Sequence, residues 1–275
     1  MANLEIDEIG PWSEIKLDIV REYAQAYSQI LSAQTRPRLH HVYIDAFAGA
    51  GVHVSRSTKK FVAGSPLNAL NVSPPFAEYH FIDINHARVE ALQRAAKKRA
   101  TVFVHDGDCN QVLLNEVFPK VKYEDFRRGL CLLDPYGLHL GWQVIYTAGQ
   151  MKSVEIFLNF PIMDMNMNVL KHDMDAVPSE QSERMTRFWG DDSWKNVAYP
   201  TTGNLFGYQE KANNETIADA FRERLLTVAG FKHVSNPLAM RNSQNAVVYY
   251  LFFASPKPVA LRIVKDIFKK YEKRL

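Results

Sequence analysis

No run of eighteen consecutive apolar residues occurs in the chain, and this excludes a membrane-spanning helix. Cysteine is scarce. Only Cys109 and Cys131 occur among 275 residues, with no C-x-x-C spacing, so no disulfide framework is expected and a reducing compartment fits best. The nine histidines are scattered without H-x-H or H-E-x-x-H spacing, and no metal site is expected. The opening MANLEIDEIGPWSEIK is acidic and lacks an apolar signal core, so a cytoplasmic location is expected. Charge of one sign is also lacking: 33 Lys and Arg against 30 Asp and Glu leave a net +3. That balance permits a nucleic-acid partner without requiring one. Lys59-Lys60, Lys97-Lys98-Arg99 and Arg127-Arg128 could touch phosphates, although such clusters more often mark solvated faces.

The chain is 47% hydrophobic, enough for one sizeable core or a core with a smaller subdomain. Ile15, Ile19, Tyr23, Tyr27 and Ile30 recur at helical spacing, and Ser13 is placed to cap a helix running to about Ala33. Strand-like runs then alternate with helical or loop segments. They are HVYIDAF, AEYHFIDIN, TVFVHDGD, GLCLLDPYG and VEIFLNFPI. This alternation predicts an α/β fold, with a mostly parallel central sheet and helices on both faces. Residues 163–208 break the rhythm and read as an inserted helical segment or lid within a single domain spanning 1–275. A helix from Asn214 to Ala229, a hairpin-like pair and a final helix from Pro258 to Tyr271 complete the pattern.

In an open parallel sheet, ligands bind beyond the carboxyl ends of the strands. Four successive runs end there in an acid: Asp45, Asp83, Asp106 with nearby Asp108, and Asp134. Gly49 and Gly51 follow the first acid and would let the backbone approach a ligand closely. The pattern suits S-adenosylmethionine. Asp45 would face its charged amino-acid portion, Asp83 its ribose hydroxyls, and Asp106 or Asp108 its adenine amine. A dinucleotide is the competing ligand, but the third glycine of G-x-G-x-x-G is replaced by Val54, and no helix starts promptly to hold a pyrophosphate. The acids also have a bland reading, as helix caps and turn formers.

LLDPYG suggests the reaction type. Asp134-Pro135-Tyr136 resembles the [DNS]-P-P-[YFW] motif of amino-methyltransferases with one proline missing. In that motif the acid and a backbone carbonyl orient the target amine while the aromatic ring stacks on the substrate. Methyl transfer from a sulfonium is an in-line displacement, so positioning carries most of the catalysis. Asp-Pro is also a common turn starter. Asn159, in FLNFPI, is a second candidate for substrate contact. Met163, Met165 and Met167, alternating with Asp164, Asn166 and Asn168, are placed to line a pocket rim, although methionine stripes more often pack.

WSEIKLDIVREY, YIDAFAGAG, GSPLNAL, FIDIN, LLDPYGL, PIMDMNMN, RFWGDDSW and YYLFFASPKP together resemble the three-Cys-motif partner protein family, a methyltransferase-like bacterial group. The resemblance runs over nearly the whole chain. It implies a Rossmann-like class I methyltransferase fold, S-adenosylmethionine as cofactor, and a partner protein carrying a three-cysteine motif, of the radical iron–sulfur type. Phe47, Ser65 of the Gly64-Ser65-Pro66 closure, and Asn85 join the candidate cofactor contacts. Residues 52–63 are expected to form a basic flap, poorly ordered without ligand. The leading expectation is methylation of an amine, with nucleic acid favoured over protein or a small molecule. A non-catalytic cofactor-binding adaptor for the three-cysteine partner is the alternative.

Overall fold

Five short apolar runs form strands. They are β2 (His40–Asp45), β5 (Glu78–Asp83), β6 (Val102–Asp106), β7 (Arg127–Leu133) and β8 (Val154–Phe160). Four of them do so because their large side chains find a covering layer on both faces, while β6 is a half-exposed edge strand. The computed structural model describes residues 6–96, 99–172, 177–200 and 211–274. Its central sheet runs β10 (Leu238–Arg241), β11 (Val247–Ser255), β8, β7, β2, β5, β6. The last five are mutually parallel, while β11 is antiparallel to both its neighbours. β9 (His233–Val234) pairs with β11 off this path. The order reverses at β2, which lies between β5 and β7. This is the switch point of a Rossmann-like doubly wound sheet, where a crevice opens beyond the strand ends.

Strand alternation divides the core into two layers. Tyr43, Phe81, Leu130, Leu132, Phe157 and Phe253 project to the side covered by α1 (Pro11–Ser32) and α10 (Pro258–Glu272). Val42, Ile44, Cys131, Leu133, Ile156 and Leu158 project to the side covered by α4 (Cys109–Val112), α5 (Trp142–Met151) and α9 (Asn214–Thr227). Gly10 rather than Ser13 is the N-cap of α1. Pro11 supplies a fixed φ at the first helical position, which leaves Ser13 inside the first turn.

Helices α6 (Ile162–Asn168), α7 (Ser179–Trp189) and α8 (Ser193–Ala198) fall within the expected insertion. Its residues 173–176 and 201–208 lie outside the described residues, as do Lys97 and Lys98 of one basic cluster. Phe188 stacks on Phe221 of α9 at 5.5 Å, and Trp189 meets the same ring at 5.3 Å. Phe221 lies 4.7 Å from Phe160 of the sheet. Burying such a ring stabilises by roughly 1.5–3 kcal/mol, so α7 is bound into the main core.

Residues 52–63 form a β-hairpin of β3 (Val52–Ser55) and β4 (Phe61–Ala63), where a poorly ordered flap was expected. β3 also pairs in parallel with β1 (Glu8–Ile9), giving a small separate sheet. Within the basic pairs noted in sequence, one lysine of the hairpin and both arginines at the start of β7 are committed to local partners. Lys59 pairs with Glu8, Arg127 with Glu78, and Arg128 lies 3.8 Å over the ring of Tyr123.

Candidate active site

A cleft of about 720 Å³ opens beyond the carboxyl ends of β2, β5, β7 and β8. One end is walled by Gly49, Asp83, Ile84 and Asp108, the other by Asp134, Tyr136, Asn159 and Asp164. Elementary turn geometry sets the first end. After β2 the chain must double back, and it does so through Gly49 at φ +63° and Gly51 at φ +81°, a region that strains side-chain-bearing residues. A Cβ at Gly49 would meet only His53, at 4.0 Å, so this stretch of backbone borders open space. The helix α2 (Ser65–Leu70) then starts directly after Gly64, whose N–H donates to the Gly51 carbonyl at 2.8 Å.

Asp83 ties this loop to the next strand. Its Oδ2 accepts from the Gly49 N–H at 2.9 Å, and its Oδ1 accepts from the Asn85 N–H at 2.8 Å. Each carboxylate oxygen has two acceptor positions, so the buried Asp83 keeps capacity for two more donors from the cleft. Asp45 is fully buried beneath the floor, beside the Ser65 hydroxyl that lines the cleft. Its Oδ2 has no partner among the described residues. Burial, offset by Ser65 and reinforced by the negative charge of Asp134, raises its carboxyl to about 7.

At the other end Asp134 is not a lone acid. Its Oδ2 accepts a hydrogen bond from Lys16 Nζ, which reaches in from α1 and also lies 5.2 Å from the ring of Tyr249. The Oδ1 of Asp134 remains for a ligand. Lys16 sits among the apolar positions Ile15, Ile19 and Tyr23 of α1, and a cation on that buried side was the signal to follow. Pro135 is buried, while the Tyr136 ring is 66% exposed and lines the cleft mouth. Although the residue as a whole is exposed, desolvation at its hydroxyl end, beside Asp7, and then the charges of Asp7 and Asp134 raise that hydroxyl above its ordinary value. Asp7 precedes β1 and is gripped by Arg88 Nη2, at 2.8 Å to each carboxylate oxygen. The strap before α1, helix α3 (His86–Ala95) and the mouth of the cleft are thereby joined.

Of the residues singled out in sequence, the fold brings Phe47, Gly49, Ser65, Asp83, Asp108, Asp134, Pro135 and Tyr136 to one cleft. Gly51 shapes the turn from outside the lining. Asn85 and Asp106 also lie off the lining. Asn85 caps α3 by accepting from the Ala87 and Arg88 N–H groups, and Asp106 holds His86 at 2.6 Å. Asp108 lines the cleft while capping α4. Met163 and Met167 reach the rim, whereas Met165 is fully buried. Asp7, Lys16, Arg88 and Tyr249 are further lining residues that local pattern did not reveal. Both cysteines are buried, and burial raises both thiols, Cys109 to about 12, so neither supplies a thiolate near neutral pH. Among the described residues no cluster of metal-ligating side chains occurs.

No protein-family model matches the chain, and no curated protein is similar to it at the level of sequence. Solved structures do match. Protein LPL1258 from Legionella pneumophila is 13% identical over 93% of this chain and 92% of its own, with a TM-score of 0.48. A candidate methyltransferase from Thermobifida fusca is 12% identical over 90% of this chain and 84% of its own, with a TM-score of 0.41. The CurJ carbon methyltransferase is 12% identical over 84% of this chain and 53% of its own, with a TM-score of 0.40. At such scores the Rossmann-like assignment rests on the strand order and parallel crossovers themselves.

Proposed function

We propose that the protein is an S-adenosylmethionine-dependent methyltransferase acting on an amine. The observation that carries this reading is one continuous cleft. Its lining includes both the Asp83–Gly49 cradle and Asp134 with Tyr136, so a cofactor and an acceptor would share one space. The residues present suit the cofactor. A glycine backbone faces open space, a buried acid retains acceptor capacity, and a second carboxylate under the floor has an unpaired oxygen. Asp83 would take the ribose hydroxyls, Asp108 the adenine side, and the Phe47–Gly49 backbone with Ser65 and Asp45 the amino-acid end. When bound, the cofactor supplies an electrophilic methyl carbon on sulfur.

The chain's own residues bind and orient. Lys16 holds one oxygen of Asp134, which fixes the carboxylate and leaves the other oxygen to accept from the target amine. Tyr136 offers an apolar face to the acceptor. The strap held by Arg88 and Asp7 narrows the mouth and limits water. Orientation of this kind can lower a barrier by up to about 7–11 kcal/mol, so no strong general base is needed. A nucleic-acid amine is the favoured acceptor class. The three-cysteine partner implied by the family resemblance is part of the same proposal, with co-purification from a cell expressing both chains as its check. A plugged cleft would have suited the adaptor role, and the open one supports the enzyme. The test is mass spectrometry of nucleosides and proteins from cells with and without the gene. Loss of a methylated amine is expected, and identical methylation in both would overturn the proposal.

A further inference from the structure

Two hydrogen-bond acceptors in the cleft are left unpaired by the fold. Asn159, near the end of β8, is 7% exposed and lines the cleft, and its Oδ1 has no partner among the described residues. Asp164, in the first turn of α6, lines the same cleft. Its Oδ1 accepts from Asn168 Nδ2 at 2.8 Å, while its buried Oδ2 has no partner among the described residues. Buried acceptors are normally satisfied, so two buried and unsatisfied ones on cleft-lining side chains mark a place for a donor. Their neighbourhood is built rather than incidental. Gly137, at φ +60°, lets the loop carrying Asp134 and Tyr136 close on α6, and a Cβ there would stand 3.0 Å from Asp164 Oδ2.

We propose that Asn159 and Asp164 complete the acceptor subsite: Asp134 takes one N–H of a nucleobase exocyclic amine, and the Asn159–Asp164 pair takes the other. This rests on the methyltransferase reading above. Both open groups accept, so the ligand must donate. The exposed Tyr136 ring and the Pro135 and Met163 side chains give apolar walls suited to a flat base. Arg187 lines the same cleft, is exposed, and has no ion pair among the described residues, which suits a phosphate. An alkyl ammonium would also donate, but it would leave the flat walls and Arg187 unused.

The experiment saturates the protein with S-adenosylhomocysteine, so that the cofactor end is filled, and then titrates nucleotides by calorimetry. Cytidine monophosphate is compared with uridine monophosphate, and adenosine with inosine monophosphate, each pair exchanging an exocyclic amine for a carbonyl. In at least one pair the amine-bearing member should bind about tenfold more tightly or better, as expected when a buried acceptor would otherwise face a carbonyl. Asp164→Asn and Asn159→Leu should each erase most of that preference, with S-adenosylhomocysteine affinity kept as the folding control. Equal binding within both pairs, no nucleotide binding, or a preference that survives both substitutions would overturn the subsite. Binding of N-acetyl-lysine methylamide instead would also overturn it, in favour of a protein amine. Failure of S-adenosylhomocysteine itself to bind would fell the methyltransferase reading and the subsite with it.

Discussion

Lys16 and Asp134 illustrate how one pair serves both stability and positioning. Lys16 is 8% exposed at its side chain and Asp134 25%, so removing the acid leaves an ammonium in a mostly dry place. Asp134→Ala should therefore destabilise the fold by about 2–3 kcal/mol, below the about 3–5 kcal/mol of a fully buried broken pair. The double variant Lys16→Met with Asp134→Leu should recover most of that loss. Urea unfolding of the three proteins decides it, and a single variant as stable as the wild type would refute the coupling. Asp83→Ala removes an acceptor from the cradle and the clamp on Gly49 together. Its affinity for S-adenosylmethionine should fall about ten- to a hundredfold, or about 1.5–3 kcal/mol, and unchanged calorimetric binding would remove Asp83 from the site. Asp45 gives a pH signature. Its folded value of about 7 exceeds the ordinary 3.8, so the folded chain holds this proton more tightly than the unfolded chain does. The stabilisation is full below the ordinary value and is lost as pH rises through about 7. Glu155, also raised to about 7 by burial, adds to the same trend. Relative to wild type, Asp45→Asn should become progressively more stable between about pH 4 and about pH 7 and change little above that, and a pH-independent difference would contradict this.

The hairpin β3–β4 belongs to the scale of elements. Its polar, basic tip suggested disorder, because residues 52–63 supply few apolar anchors beyond Phe61 and Val62. The anchor is distant: the Val54 and Arg56 N–H groups donate to the carbonyls of Asp7 and Ile9, at 3.0 and 2.9 Å. Pairing with a two-residue strand ahead of α1 leaves no periodic trace in sequence. The strands of the central sheet were legible for the opposite reason. Each of the five parallel strands is a self-contained apolar run ending in an acid or at a turn, and all but the edge strand β6 are buried on both faces. The same contrast explains the helix start, where Pro11 after Gly10 set the boundary ahead of the more familiar cap Ser13. At this scale the Arg88–Asp7 contact is the test piece. Arg88→Ala should speed hydrogen exchange at Val54 and Arg56 by about tenfold or more, with β2 unaffected, since a strap held by few contacts opens locally. Equal protection in both proteins would show that the strap does not depend on the clamp.

At the scale of the whole molecule, the order of strands decides where chemistry can occur. The reversal at β2 places the ends of β5 and β7 on either side of Asp45, and acids far apart in sequence meet at one crevice. Four acids at successive strand ends made that crevice visible before any coordinates. Pairings such as Lys16 with Asp134 could not be seen, because they depend on how α1 docks across the sheet. The unpaired atoms Asn159 Oδ1 and Asp164 Oδ2, without partners among the described residues, were equally invisible in sequence. The most direct test of the central claim is equilibrium titration of the purified chain with S-adenosylmethionine and, separately, with NAD. Saturable one-to-one binding of S-adenosylmethionine, weakened in Asp83→Ala, with no binding of NAD, is the expected result. Binding of NAD, or binding of neither, would contradict it.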